Sequence, residues 1–334
     1  MMPRTMRLFS PLMILLLLTT LAIGVGSSWI APDRVISALA GRGSQTDEII
    51  IWTLRLPRVV LAILAGAALA LAGMLLQRIV RNPIASPSVL GIVDGAAVGG
   101  VLFLWIWSDE ANALTVSIHW LPLAATAGAA SFALAVVVLA GRDAVEPARL
   151  ILYGIALAAL AKALVVVLII IGPVFRASTA LIWMAGSVHA AHWDDAIILS
   201  LVLLGSVAAI CLLLRPLDQV IIDDASAEAT GLSLLPTKAA CLALSVVLTA
   251  GAVSFAGGIS FVGLIAPNIA RALVGLSARD QVIVTPLIGA IMVLGADIIA
   301  RIVAYPLELP TGAITALIGA PYFLFLLMRQ VRHG

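Results

Sequence analysis

LRLPRVVLAILAGAALALAGMLLQRIVRNPIASPSVLG, residues 54–91, decides the class of the fold. Two arginines and a proline open it. An uncharged run rich in Gly and Ala follows from Val59 to Gln77, and a basic Asn-Pro turn closes it. The run is long enough for a helix to cross a bilayer. Ala62, Gly66 and Ala70 recur at every fourth position. One helix face is therefore nearly bare, and another helix can approach it backbone-close. The stretch reads as a membrane span with charged ends, and function must be sought at those ends.

The rest of the chain agrees. Hydrophobic residues make up 63% of the 334 residues and charged residues 11%, with a mean hydropathy of +1.18. Soluble domains carry about 25% charged residues. A net charge of +2 gives no footing for nucleic acid. Cys211 and Cys241 both sit in apolar runs and read as small hydrophobes, not as a disulfide. Arg4 and Arg7 precede an uncharged run, Leu8 to Ala31. It is longer than the core of a signal peptide and shows no convincing cleavage site, so a retained first span is expected.

Further uncharged or nearly uncharged runs give the other spans. The set is 9–31, 59–77, 95–108, 115–140, 150–171, 196–214, 239–256, 259–270, 284–300 and 309–328. The expectation is an all-α integral membrane protein of about ten helices, one transmembrane domain over 1–334. The uncharged stretch 239–270 is too long for one span and short for two. Gly257-Gly258 breaks it into a full span and a short returning helix. Lys and Arg placement sets orientation. One side receives Arg4, Arg7, Arg78, Arg81, Arg142, Arg149, Arg215, Lys238, Arg271, Arg279, Arg329 and Arg332. The other receives Arg34, Arg42, Arg55, Arg58, Arg176 and Arg301, and Lys162 falls within a span. The bias puts both termini in the cytoplasm and leaves the outer arginines to be explained.

Several chemistries are excluded. Both lysines are followed by alanine, so no G-x-x-x-x-G-K-[ST] phosphate loop exists. There is no H-E-x-x-H and no Cys/His zinc cluster, so no catalytic or metal-ligating set is expected. An ion-coupled carrier, the rival class, usually places carboxylates deep in its spans. Here Asp94, Asp297 and Glu308 lie near span ends. The energy source must be a partner.

The charged positions have competing readings. Arg55 and Arg58 are three apart at a helix start and share a face, with Pro57 in the first turn. The pair can receive carboxylates or anchor on lipid phosphate. Arg301 follows Asp297 by four, as a docking cation or as a local ion pair. In RPLDQVIIDDASAEATGLSLLP, 215–236, Asp223, Asp224 and Glu228 can start a short helix that Gly231 ends. That element docks a partner or is a solvated loop. Asp94 reads as a helix cap. His189 and His192, beside Asp194 and Asp195, read as solvated loop histidines and not as a metal site. Lys162 in mid-helix faces a wet pathway or snorkels.

Taken in order, LRLPR (54–58), GAALALAGMLLQ (66–77), RNPIASPSVLG (81–91), GGISFVGLIAPNIAR (257–271), ADIIAR (296–301) and ELPTGAITALIGAPYFLFLL (308–327) resemble one family over nearly the whole chain. It is the permease subunit of ABC importers for iron–siderophore complexes, haem and cobalamin, the FecCD/BtuC-like family. The resemblance implies ten transmembrane helices and a permease dimer, from two copies or with a homologous partner, in the bacterial inner membrane. It implies ATPase subunits on the cytoplasmic side, which bind ATP and Mg, and no cofactor in this chain. Outside it implies a periplasmic or lipid-anchored substrate-binding protein whose carboxylates meet Arg55, Arg58 and Arg301. The family's coupling pattern, L-G-[DE]-x-x-A-x-x-L-G, is matched by Asp224, Ala227 and Gly231; Asp223 replaces its Gly and Thr230 its Leu. Asn268 stands where His is common. Span five lines the family's pathway, and there Lys162 is unusual; it suggests an anionic ferric chelate. An iron chelate is the first expectation for the substrate, haem or cobalamin the alternative.

Overall fold

The computed structural model describes residues 4–26, 29–88, 90–109, 114–140, 147–171, 181–303 and 307–331. In chain order the helices are α1 (Arg4–Gly24), α2 (Pro32–Leu39), α3 (Gln45–Ile49), α4 (Leu56–Val80), α5 (Ile92–Ile106), α6 (Leu121–Ala140) and α7 (Pro147–Ile171). Then follow α8 (Trp193–Leu212), α9 (Leu214–Gln219), α10 (Asp224–Ala229), α11 (Leu234–Ala256), α12 (Val262–Val274), α13 (Ala278–Val303) and α14 (Thr311–Val331). Among the described residues, seven helical segments are long and apolar enough to cross a bilayer, and three shorter apolar helices join them. Together they make ten apolar helices, one on each of the expected runs. Arg142, Arg176 and Arg332 lie outside the described residues.

Helix α4 is the axis of the bundle, and its composition is the reason. A helix of Ala and Gly is thin, so neighbours can surround it. Helices α8, α11, α12 and α13 all pack on it, and nearly every residue from Val59 to Val80 is buried. The small stripe Ala62–Gly66–Ala70 meets α13. A Cβ on Gly289 would lie 2.2 Å from the Gly66 carbonyl oxygen and 2.5 Å from the Ala70 Cβ. A Cβ on Gly73 would lie 1.7 Å from the Gly263 carbonyl oxygen, so α12 touches α4 backbone to backbone as well. Dispersion and close packing hold such contacts, because lipid supplies no hydrophobic drive between helices.

The start of α4 departs from the expected helix opening at Arg55–Pro57. Helical backbone begins at Gln45 and runs through α3 and a π turn, Ile50–Arg55, into α4. Pro57 explains the widened turn. It cannot donate to the carbonyl four residues back, and its ring crowds that group. The backbone loosens instead, and the Leu56 amide bonds the Ile51 carbonyl, five residues away.

The 239–270 segment divides as expected. Helix α11 stops at Ala256, Gly257 adopts φ +67°, and α12 starts after Phe261 at φ +65°. At about 1.5 Å per residue, the 13 residues of α12 reach only part-way across a hydrocarbon core of about 30 Å. Segment 81–91 connects α4 to the 15-residue α5 and packs into the bundle. Pro87 lies against Gly263, and Asn268 Nδ2 donates to the Pro83 carbonyl at 2.8 Å.

Charge and aromatic residues mark the two ends. Arg78, Arg81, Lys238 and the α10 segment gather at one end, and Arg55, Arg58 and Arg301 at the other. Exposed Trp29, Trp52, Trp105, Trp107, Trp120 and Trp193 all stand on segments at or leading to the arginine end. Such a belt suits a bilayer interface. Between the ends, Phe9, Leu17, Val138, Ile170 and Leu204 face outward.

Candidate functional site

The arginine end is built on Asp297. This carboxylate is fully buried. Arg58 donates to its Oδ1 from Nε at 3.0 Å and from Nη2 at 2.8 Å. Arg301, one turn along α13, donates to Oδ2. Arg58 Nη1 also donates to Glu308 Oε2 at 2.8 Å, and His189 Nδ1 is 2.6 Å from the same oxygen. The two remaining arginine functions are helix caps. Arg55 Nη1 donates to the carbonyls of Ile23 and Gly24 at 2.6 and 2.8 Å, and Arg301 Nη1 to that of Ala22 at 3.0 Å. These carbonyls end α1 and have no helical partner of their own.

Arg55, Arg58 and Arg301 thus come together, but not as an exposed surface. Each is 6% exposed. They form the floor of a depression of about 370 Å³, with His189, His192 and Glu308 on its walls. The reason is energetic: a guanidinium at the membrane boundary is cheaper when its donors meet a carboxylate and orphan carbonyls. His189 and His192 side chains remain largely exposed. Among the described residues, no His/Cys/Asp/Glu group has the makings of a metal site.

At the opposite end α10 projects as a short helix. Asp223 caps it, accepting from the Ser226 amide at 2.9 Å. The Ser226 hydrogen bonds hold the Asp223 carboxyl below the ordinary carboxylate range. Asp224 faces the bundle. Lys238 Nζ donates to both its oxygens at 3.1 Å, and Arg81 donates to Oδ1. Burial pushes the Asp224 carboxyl up, but Lys238 and Arg81 outweigh it and the net direction is down. Ala227 is fully buried under the helix, and Gly231 takes φ +87° after it. Asp223, Asp224, Ala227 and Gly231 therefore fix the helix in place. The face left for a partner is Ala225, Ser226, Glu228 and Ala229, all exposed.

Below α10 lies a network that the sequence analysis did not single out. Buried Arg78 donates to the Leu217 and Leu276 carbonyls at 2.9 and 2.6 Å and to Gln281 Oε1 at 3.0 Å. It ties α9, the turn before α13, and α13 to the end of α4. The signal was available: Gln77-Arg78 closes the uncharged run while still inside it.

The third feature is a cavity of about 620 Å³ between segment 84–88, α5, α7, residues 258–261, α12 and α14. Lys162 lines it, and so does Asp94. Asp94 is not the helix cap expected of it, since the α5 N-terminus has no side-chain cap.

A family model described as the FecCD transport family matches residues 14–329. The chain belongs to the FecCD transport family. Within it, the chain is 42% identical over 313 residues to the probable siderophore transport system permease protein YfhA of Bacillus subtilis, covering 92% of this chain and 90% of that one. It is 38% identical over 319 residues to the Fe(3+)-citrate import system permease protein YfmE of the same organism, covering 96% and 93%. Among solved structures, a metal-chelate type ABC transporter in an inward-facing conformation superimposes with a TM-score of 0.85 at 28% identity, over 96% of this chain and 98% of that one. This FecCD-family protein is thus a multi-pass membrane protein with a transport permease fold.

Proposed function

We propose that the chain is the membrane-spanning subunit of a binding-protein-dependent ABC importer for ferric siderophores or related iron chelates. The observation that carries this reading is a transport-family fold with a pinned, outward-facing helix at one end and no phosphate loop of its own. Such a chain needs an external motor, and α10 offers a place to grip. Relatives named for siderophore and ferric citrate transport support the substrate class.

In this reading the α10 end is cytoplasmic and receives two ATPase subunits, which bind ATP and Mg. The excess of Lys and Arg on that side supports it, and both termini then face the cytoplasm. The protein works as a dimer, from two copies or with a homologous permease, in the bacterial inner membrane. A loaded substrate-binding protein docks at the arginine end. Since Arg58 is already shared between Asp297 and Glu308, an incoming carboxylate enters the depression and takes the place of Glu308, the half-exposed partner. ATP-driven closure of the ATPases moves α10, and Lys238, Arg81 and Arg78 carry that movement into α4, α9, α11 and α13. The cavity holding Lys162 is the translocation path.

The test is reconstitution of the chain in liposomes with its ATPase and binding protein, followed by uptake of iron-59-labelled chelates. Uptake that requires ATP and the binding protein supports the reading. Uphill uptake by the chain alone, without nucleotide, overturns it.

A further inference from the structure

The 620 Å³ cavity contains two charges of opposite sign in otherwise apolar and hydroxyl-bearing walls. Lys162 stands past the middle of α7, and Asp94 in the first turn of the short α5. They are the charged groups among the described lining residues. Neither side chain makes a hydrogen bond or an ion pair with another described residue. Ser86 and Ser88, hydrogen-bonded at 2.8 Å, add neutral polar groups. Phe261 and Phe323, with ring centroids 6.5 Å apart, form an aromatic wall.

Ionised side chains inside a membrane protein face wet cavities or one another. A lone lysine would make this cavity attract anions. Asp94 cancels that preference without covering the ammonium, because the two are not in contact. Both poles stay open to a passing molecule while the net charge of the wall is zero. We propose that Asp94 and Lys162 are a charge-balanced selector, and that the chain passes chelates of zero net charge in preference to polyanionic or cationic ones. This rests on the cavity being the translocation path. It replaces the anionic preference expected from Lys162 alone.

The test separates the selector from the importer reading by using a probe that needs neither ATP nor a partner. Ala159 lines the cavity one turn before Lys162. An Ala159→Cys reporter is placed in the full-length chain carrying Cys211→Ser; Cys241 is buried. The protein, in liposomes, is treated with anionic sulfonatoethyl and cationic trimethylammonioethyl methanethiosulfonates, with rates normalised to a free thiol. The parent ratio should be near one. In a wet cavity, at an effective permittivity of about 50, between those of bulk water and of a protein surface, a unit charge about 10 Å away changes each rate about threefold, in opposite directions for the two reagents, and so shifts the ratio by about tenfold. Lys162→Met should therefore lower the anionic-to-cationic ratio by about tenfold, and Asp94→Asn should raise it by about as much. The double variant should return near one, and Lys162→Arg and Asp94→Glu should keep the parent value, which excludes general damage to the fold. Single variants that leave the ratio within twofold, or shift it in the same direction, overturn the selector. In the assembled transporter, Asp94→Asn should raise uptake of anionic ferric dicitrate relative to a neutral ferric trihydroxamate. Labelling that shifts as stated with no ATP-dependent uptake of either chelate would leave the selector standing and remove the importer reading.

Discussion

Replacing Asp297 by Asn isolates what holds the arginine end together. The carboxylate is fully buried and accepts two hydrogen bonds from Arg58 and one from Arg301. Asn keeps the shape but loses the charge, and its amide presents two donors to two guanidiniums. Arg58 retains Glu308, and Arg301 retains the Ala22 carbonyl. Arg301 Nε already lacks a partner, so that side chain has little left. Removing one member of a buried ion pair costs about 3–5 kcal/mol. With an unfolding entropy of about 2.1 cal/mol/K per residue, 334 residues give about 0.7 kcal/mol/K. The expected fall in apparent melting temperature is thus about 4–7 °C, read by tryptophan fluorescence or size-exclusion recovery in detergent. Adding Arg301→Met to Asp297→Asn removes the stranded charge and should recover more than half of the loss. A melting temperature within about 1 °C of the parent, or no recovery in the double variant, would refute the account of Asp297 as the hub.

Three further outcomes are expected. Gly289→Val places side-chain atoms where a Cβ alone meets the Gly66 carbonyl at 2.2 Å; overpacking by about 1–3 kcal/mol should lower the melting temperature, and an unchanged melt would show that α4 and α13 are not in backbone contact. Glu308→Gln weakens the internal competitor for Arg58, so a cognate binding protein should dock about two- to fivefold more tightly by surface plasmon resonance; weaker docking would argue against displacement of Glu308. The folded pKa values of Asp223 and Asp224 lie below the ordinary carboxylate value, so their contribution to pinning α10 is complete above that value and is lost as pH falls through the folded one. Hydrogen exchange of residues 222–232 should therefore be flat from neutral pH down to the ordinary carboxylate range and lose protection only below it, once corrected for intrinsic rate. Loss of protection already near pH 6 would count against the assignment.

The spans were legible because hydrocarbon enforces a simple pattern: uncharged or nearly uncharged runs with ionic groups between them. The Ala62–Gly66–Ala70 stripe was legible for the same reason, since small residues at helical spacing leave only close approach as their use. The π turn before α4 was not, because the effect of Pro57 extends backward into residues whose own side chains show no sign of it. The arginines illustrate a different limit. Their grouping followed from topology, but their burial depends on Asp297, Glu308 and the end of α1 arriving from distant parts of the chain. Asp94 is a similar case. As one acid at a helix start it resembles a cap, and only the fold brings Lys162 into the same cavity. Asp223, Asp224, Ala227 and Gly231 were found by pattern, yet their contacts show them seating α10 and leave the outward face to Ala225, Ser226, Glu228 and Ala229.

The capping of α1 by Arg55 and Arg301 has a bearing on biosynthesis. The ribosome delivers the first of these cations soon after α1 itself, but the second only when most of the polypeptide has been made. Until then the Ala22 carbonyl has no guanidinium, and of the two arginine caps on α1 the Arg55 one stands alone. The nascent protein must carry its first helix as a loosely moored passenger, and the mooring closes only near the end of translation.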